Sequence, residues 1–143
     1  MILYCDTSAL IKRYIAEEKT DGVDELWDSA SVIATSVVAF AEGMAVFSRK
    51  FKEGLLSDKE YIETIKEFKS DYRHLLLVPV NEDLNITIEN LLKKHSLRGF
   101  DAIHLASAKI FTHSEDTELI FACFDRALNQ AAQREGLHVA FKE

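Results

Sequence analysis

Met1-Ile2-Leu3-Tyr4-Cys5-Asp6-Thr7-Ser8 is the stretch from which the fold of this chain can be read. Its first five residues form an apolar run of the length expected for a buried strand, and the Asp-Thr-Ser behind it is dense in helix-capping residues. The unit is a strand, then a helix, with an aspartate at the junction. The same unit returns near the other end: Glu118 to Phe124 reads as a strand, Asp125 follows it, and Arg126 to Glu135 reads as a helix.

Between these two units, helical and extended patterns keep alternating. Ser8 to about Glu17 places Leu10, Ile11, Tyr14 and Ile15 on one helical face, and Val23, Leu26 and Trp27 predict a second short helix. Ser31 to Ala34 reads as a strand. From Ser36 to Phe51, Val37, Phe40, Met44, Phe47 and Phe51 recur at helical spacing, with Gly54 as the stop. Ser57-Asp-Lys-Glu60 has capping-box spacing ahead of a stripe through Tyr61, Ile65, Phe68 and Tyr72. Leu75 to Val80 predicts a strand that ends at Pro79, where a missing N–H does least damage. Leu84 to His95 and Asp101 to about Phe111 predict helices, and Leu137 to Phe141 a last strand. Such alternation predicts an α/β domain spanning residues 1–143, with a parallel sheet covered by helices on both faces.

A chain of 143 residues with 48% hydrophobic and 29% charged residues has the balance of an ordinary globular protein. It shows no apolar stretch long enough to span a bilayer and no basic segment leading into an apolar core, so the expected location is cytoplasmic. Cys5 and Cys123 lie in apolar runs and read as reduced, buried thiols. The net charge of −7 argues against holding nucleic acid on a broad basic surface. If RNA or DNA is the substrate, bound metal has to supply the local positive charge.

Chemistry concentrates in four carboxylates. Asp6 and Asp125 each follow a strand and precede a helix, so both fall at the carboxyl edge of a parallel sheet, where such sheets bind ligands at the reversal of strand order. Helix capping is the competing role for each. Glu42 is the only charged residue from Thr35 to Phe47, with Val38 and Val46 beside it on the helical wheel. A carboxylate in that setting needs a cation, a metal or a proton, and a salt bridge or a solvent-facing edge is its bland alternative. Asp101 shares a helix side with Leu105 and Ala108; here too capping competes. His104, one turn on, reads as a packing residue. With no His or Cys at zinc-ligand spacing, an oxygen-only set favours hard cations such as Mg²⁺ or Mn²⁺, and these serve phosphodiester hydrolysis.

Four segments carry a resemblance: Asp6-Thr-Ser-Ala-Leu, Glu42 in the third helix, Arg98-Gly-Phe-Asp101-Ala-Ile-His-Leu-Ala, and Phe124-Asp125-Arg-Ala-Leu. Together they resemble the PIN domain, in particular the VapC-type toxins of prokaryotic toxin–antitoxin pairs, over the whole chain. The resemblance implies a three-layer α/β/α fold with a parallel sheet of about five strands, and a Mg²⁺- or Mn²⁺-dependent endoribonuclease acting on RNA. It implies Asp6 and Asp101 as principal metal ligands, with Glu42 and Asp125 completing the acidic pocket, and allows Thr7 or Ser8 to hold Asp6, although helix capping is the preferred reading of both residues. It further implies a homodimer and a small antitoxin partner. Many relatives carry Thr or Ser where this chain has Cys123, a weaker hydrogen-bonding group. Competing classes are a non-catalytic interaction module and a phosphatase with Asp6 as nucleophile, which would ordinarily want a second Asp at the position of Ser8.

Overall fold

A computed structural model describes residues 1–16 and 20–142. Five strands, β1 (Ile2–Cys5), β2 (Val32–Ser36), β3 (Leu76–Val78), β4 (Leu119–Ala122) and β5 (His138–Val139), form one sheet in the order β3-β2-β1-β4-β5. Every pairing is parallel, with Ile2 opposite Val32 on one side and Leu119 on the other. The helices are α1 (Thr7–Leu10), α2 (Thr20–Ser29), α3 (Val38–Lys52), α4 (Asp58–Tyr72), α5 (Asn85–Lys94), α6 (Gly99–Lys109) and α7 (Arg126–Arg134). Among the described residues, no helix is long and apolar enough to cross a membrane.

Alternation along β1 sends side chains to two cores. Leu3 and Cys5 enter a cluster with Leu10 of α1, Phe47 of α3 and Phe68 of α4, whereas Tyr4 enters one with Leu91 of α5, Leu105 of α6 and Leu128 of α7. The sheet is thus the middle of three layers, as the alternating pattern predicts. Helices α3 and α4 approach closely at Gly43, where an added Cβ would stand 3.0 Å from the Phe68 ring. The capping box at Ser57 and Glu60 is present, and Gly54 takes φ +78° behind α3.

The first helix departs from its expected length. Instead of running from Ser8 to about Glu17, it is one turn, followed by a 3-10 turn over Ile11–Arg13; Glu17 itself lies outside the described residues. Tertiary contacts account for the shortening. The Tyr14 ring stands edge-on to Phe47 and Phe68, and its hydroxyl donates to Asp71 at 2.8 Å. Strands β3 and β5 are also shorter than expected, and each is an edge strand paired on one side alone. Ser36 ends β2 rather than opening α3, and its hydroxyl accepts from the Val38 amide at 3.2 Å.

Candidate active site

Strand order reverses between β1 and β4, so the chain leaves the sheet in opposite directions from neighbouring strand ends and opens a crevice there. Asp6 follows β1 and Asp125 follows β4. Residues from α3 and α6 close the crevice, and Asp6, Glu42, Asp101 and Asp125 all line one cavity of about 420 Å³. The four acids that the sequence singles out, separated by up to 119 positions, therefore face a common space.

Each acid is held differently. Asp6 is 5% exposed and caps α1, its Oδ1 accepting from the Ala9 amide at 3.0 Å and from Ser8 Oγ at 2.7 Å. Burial pushes its carboxyl above the usual range, only partly countered by the nearby His104 and by hydrogen bonds from Ser8, Ala9 and Cys123. Glu42 Oε1 accepts from Thr7 Oγ1 at 2.6 Å and from His104 Nε2 at 2.8 Å. Burial opposes its ionisation, but these bonds and the charges of His104 and Arg98 outweigh it, and its carboxyl is held below the usual range. Asp101 Oδ2 accepts from Arg98 Nε at 3.1 Å and from the Arg98 amide at 3.4 Å, so it both pairs with a cation and helps cap α6. Asp125 stands at the N-cap of α7 without a side-chain capping bond.

Positioning comes from residues that local pattern undervalued. His104, expected as a packing residue, is 2% exposed and reaches Glu42 through Nε2, while Nδ1 meets the Tyr4 hydroxyl at 2.9 Å. An ionised Glu42 can only accept, so Nε2 carries a hydrogen and the imidazole tautomer is set by its neighbours. Ser8, for which helix capping was expected, instead donates to Asp6, and it also accepts from the Phe124 amide at 2.9 Å, tying the ends of β1 and β4 together. Thr7 serves Glu42 instead. Asn129 donates to the Cys123 carbonyl at 2.8 Å and the Phe141 carbonyl at 3.0 Å, steadying the backbone that carries Asp125. Cys123 Sγ accepts from the Asp125 amide at 3.2 Å, a weak substitute for a hydroxyl. The one signal for His104 in the sequence is its place one turn after Asp101.

The donors suit a hard divalent cation. All four carboxylates supply oxygen, and among the described residues the buried Asp6 has no Lys or Arg partner to offset its charge. Among the described residues, no three acidic, imidazole or thiol groups are already drawn together as ligands of one ion. Asp6, Glu42 and Asp101 are each turned to partners of their own instead, and Arg98, whose side chain is 83% exposed, supplies the compensating charge at Asp101.

The chain is similar to known proteins along most of its length. The family model described as "PIN domain" matches residues 3–133. The chain is 27% identical over 139 residues to "Ribonuclease VapC45" of Mycobacterium tuberculosis, covering 97% of this chain and 94% of that protein. Its fold is similar to that of a toxin–antitoxin complex from Klebsiella pneumoniae, with TM-score 0.66, 17% identity and 100% of each chain covered. It is also similar to VapC20 of Mycobacterium tuberculosis, described as a sarcin–ricin loop cleaving toxin, with TM-score 0.65, 17% identity and 99% of each chain covered.

Proposed function

Because this chain belongs to the PIN domain family, we propose that it is a divalent-metal-dependent endoribonuclease, the toxin of a toxin–antitoxin pair. The observation that carries the proposal is the meeting of Asp6, Glu42, Asp101 and Asp125 in one cavity at the switch point of the sheet. The ribonuclease name of its mycobacterial relative supports the reaction, and the Klebsiella complex supports an antitoxin partner. In the proposal, Asp6 and Asp101 hold Mg²⁺ or Mn²⁺, with Glu42 and Asp125 completing the pocket. When bound, such an ion polarises phosphate oxygens and lowers the pKa of an attacking water.

The residues of the chain prepare that chemistry. Ser8 and Ala9 hold Asp6 in one rotamer, and the Thr7 and His104 bonds to Glu42 keep it ionised and turned to the cavity. Arg98 is held in its charged form chiefly by its hydrogen bond to Asp101, and lies where it can meet a phosphate oxygen once Asp101 takes another partner. The phosphatase alternative loses ground because the position two residues after Asp6, where a second Asp would be wanted, is Ser8, whose hydroxyl is committed to Asp6 Oδ1 and the Phe124 amide.

The test is cleavage of a mixed cellular RNA pool by purified protein with Mg²⁺ or Mn²⁺. EDTA abolishes cleavage, and Asp101→Asn, confirmed folded by circular dichroism, lowers it by at least about 100-fold, in line with losing a group close to the metal. A folded protein that cuts no RNA class and binds no metal by calorimetry would instead be a non-catalytic module.

A further inference from the structure

A second cleft, of about 320 Å³, opens directly beside the acidic cavity and shares with it Ser8, Ile11, Val46, Arg49 and Asp125. Its character is the reverse of its neighbour's. Among the described residues, Lys12, Arg49 and Lys50 line it together with the carboxylate of Asp125 at the junction. Two elements supply these cations. Arg49 and Lys50 stand in the last turn of α3, where basic side chains also complement the helix dipole. That role does not explain Lys12, which comes from the 3-10 turn after α1 and places its Nζ 5.3 Å from the centre of the Phe124 ring. Arg49 does pair with Glu53 at 3.5 Å, but both side chains are more than half exposed, and such a surface pair yields readily to a stronger anion.

We propose that this cleft is the track for single-stranded RNA on one side of the scissile bond, with Lys12, Arg49 and Lys50 contacting backbone phosphates next to the acidic site. The proposal rests on the ribonuclease reading. Its occupant follows from charge and continuity: a strand whose scissile phosphate sits among the four carboxylates needs its next phosphates neutralised within one nucleotide spacing, and cations on the acid pocket's rim do so without entering the metal site. The ring of Phe124, which stacks on Phe141 at 4.4 Å, forms an apolar floor under Lys12.

The experiment measures binding of a single-stranded oligoribonucleotide to the full chain carrying Asp101→Asn, with and without Lys12→Gln, Arg49→Gln and Lys50→Gln together, across a salt series. Removing three phosphate contacts weakens binding and flattens the slope of log K against log salt by about 2, at about 0.7 per contact. Three lysine-to-glutamine changes on the exposed face of α4 serve as the charge control and leave the slope unchanged. With Asp101 intact, the cleft variant loses kcat/KM mainly through KM on long RNA, and little on a substrate truncated on the cleft side of the cut. An unchanged slope, a loss equal to that of the α4 control, or retained RNA binding with lost affinity for poly-glutamate would overturn the track, the last pointing to an acidic protein segment. A wild-type chain that cuts no RNA refutes the ribonuclease reading separately, because the slope is measured without cleavage.

Discussion

Asp6 performs two tasks whose energetic demands oppose each other. As a cap it bonds the Ala9 amide, which stabilises α1, and as a buried carboxylate it carries a desolvation cost that the nearby His104 and its hydrogen bonds only partly offset. Asn caps a helix as well as Asp and bears no charge. Asp6→Asn is therefore expected to raise the melting temperature in EDTA by about 2–4 °C, equivalent to ~1 kcal/mol for a chain of this size, while abolishing cleavage. Calorimetric melts with and without Mg²⁺ check this, since the cation should erase the variant's advantage; a lower melting point in EDTA would show that the carboxylate stabilises the empty pocket. At this scale the sequence identified the acids but treated capping and chemistry as rivals. Asp6 combines a capping bond with a position in the cavity, Asp101 does the same, and the roles of Thr7 and His104 depend on which side chains stand opposite them.

Elements were legible wherever periodicity was sustained. Helices α3, α4, α5 and α7 lie within a few residues of their expected bounds because their apolar stripes and caps agree. The first helix was overestimated because Tyr14 and Ile15 hold helical spacing while packing from a turn. One contact among elements was invisible in any single stripe: Glu135, at the end of α7, accepts from Lys109 of α6 at 2.6 Å and from His95 after α5 at 2.7 Å, with Lys94 at 3.5 Å. Burial works against its ionisation, but the bonds and charges of Lys109, His95 and Lys94 outweigh it and hold its carboxyl at about 2. A depressed value means that this stabilisation is complete above the ordinary 4.5 and is lost as pH falls towards 2. Glu135→Ala is expected to destabilise the protein by about 2 kcal/mol in urea unfolding at pH 7, since it removes an acceptor shared by the nearly buried His95, the partly exposed Lys109 and the exposed Lys94. The difference from wild type should shrink on titration through that acid window, and a pH-independent difference would mean the loss is one of packing alone.

Over the whole molecule, the two cysteines report on the two cores. Cys5 lies in the cluster under α1, α3 and α4, and Cys123 in the one under α5, α6 and α7; both are fully buried, and burial pushes both thiols far above their ordinary range. A thiol reagent should label neither in the native protein and both at one common rate in denaturant, because a shared sheet couples the layers. Unequal rates would mean that one helical layer opens by itself. The sequence alone determined the alternation of strands and helices, the parallel sheet, the four acids and their order, since these follow from local period, caps and composition. Only the tertiary structure decided that Tyr4 meets His104, that Thr7 and His104 together hold Glu42, that Ser8 joins β1 to β4, and that Lys12 comes beside Arg49 and Lys50. The physical reason is that these contacts join residues far apart in the chain, and their distances are set by the strand order β3-β2-β1-β4-β5, which the packing of both layers selects and no local pattern encodes.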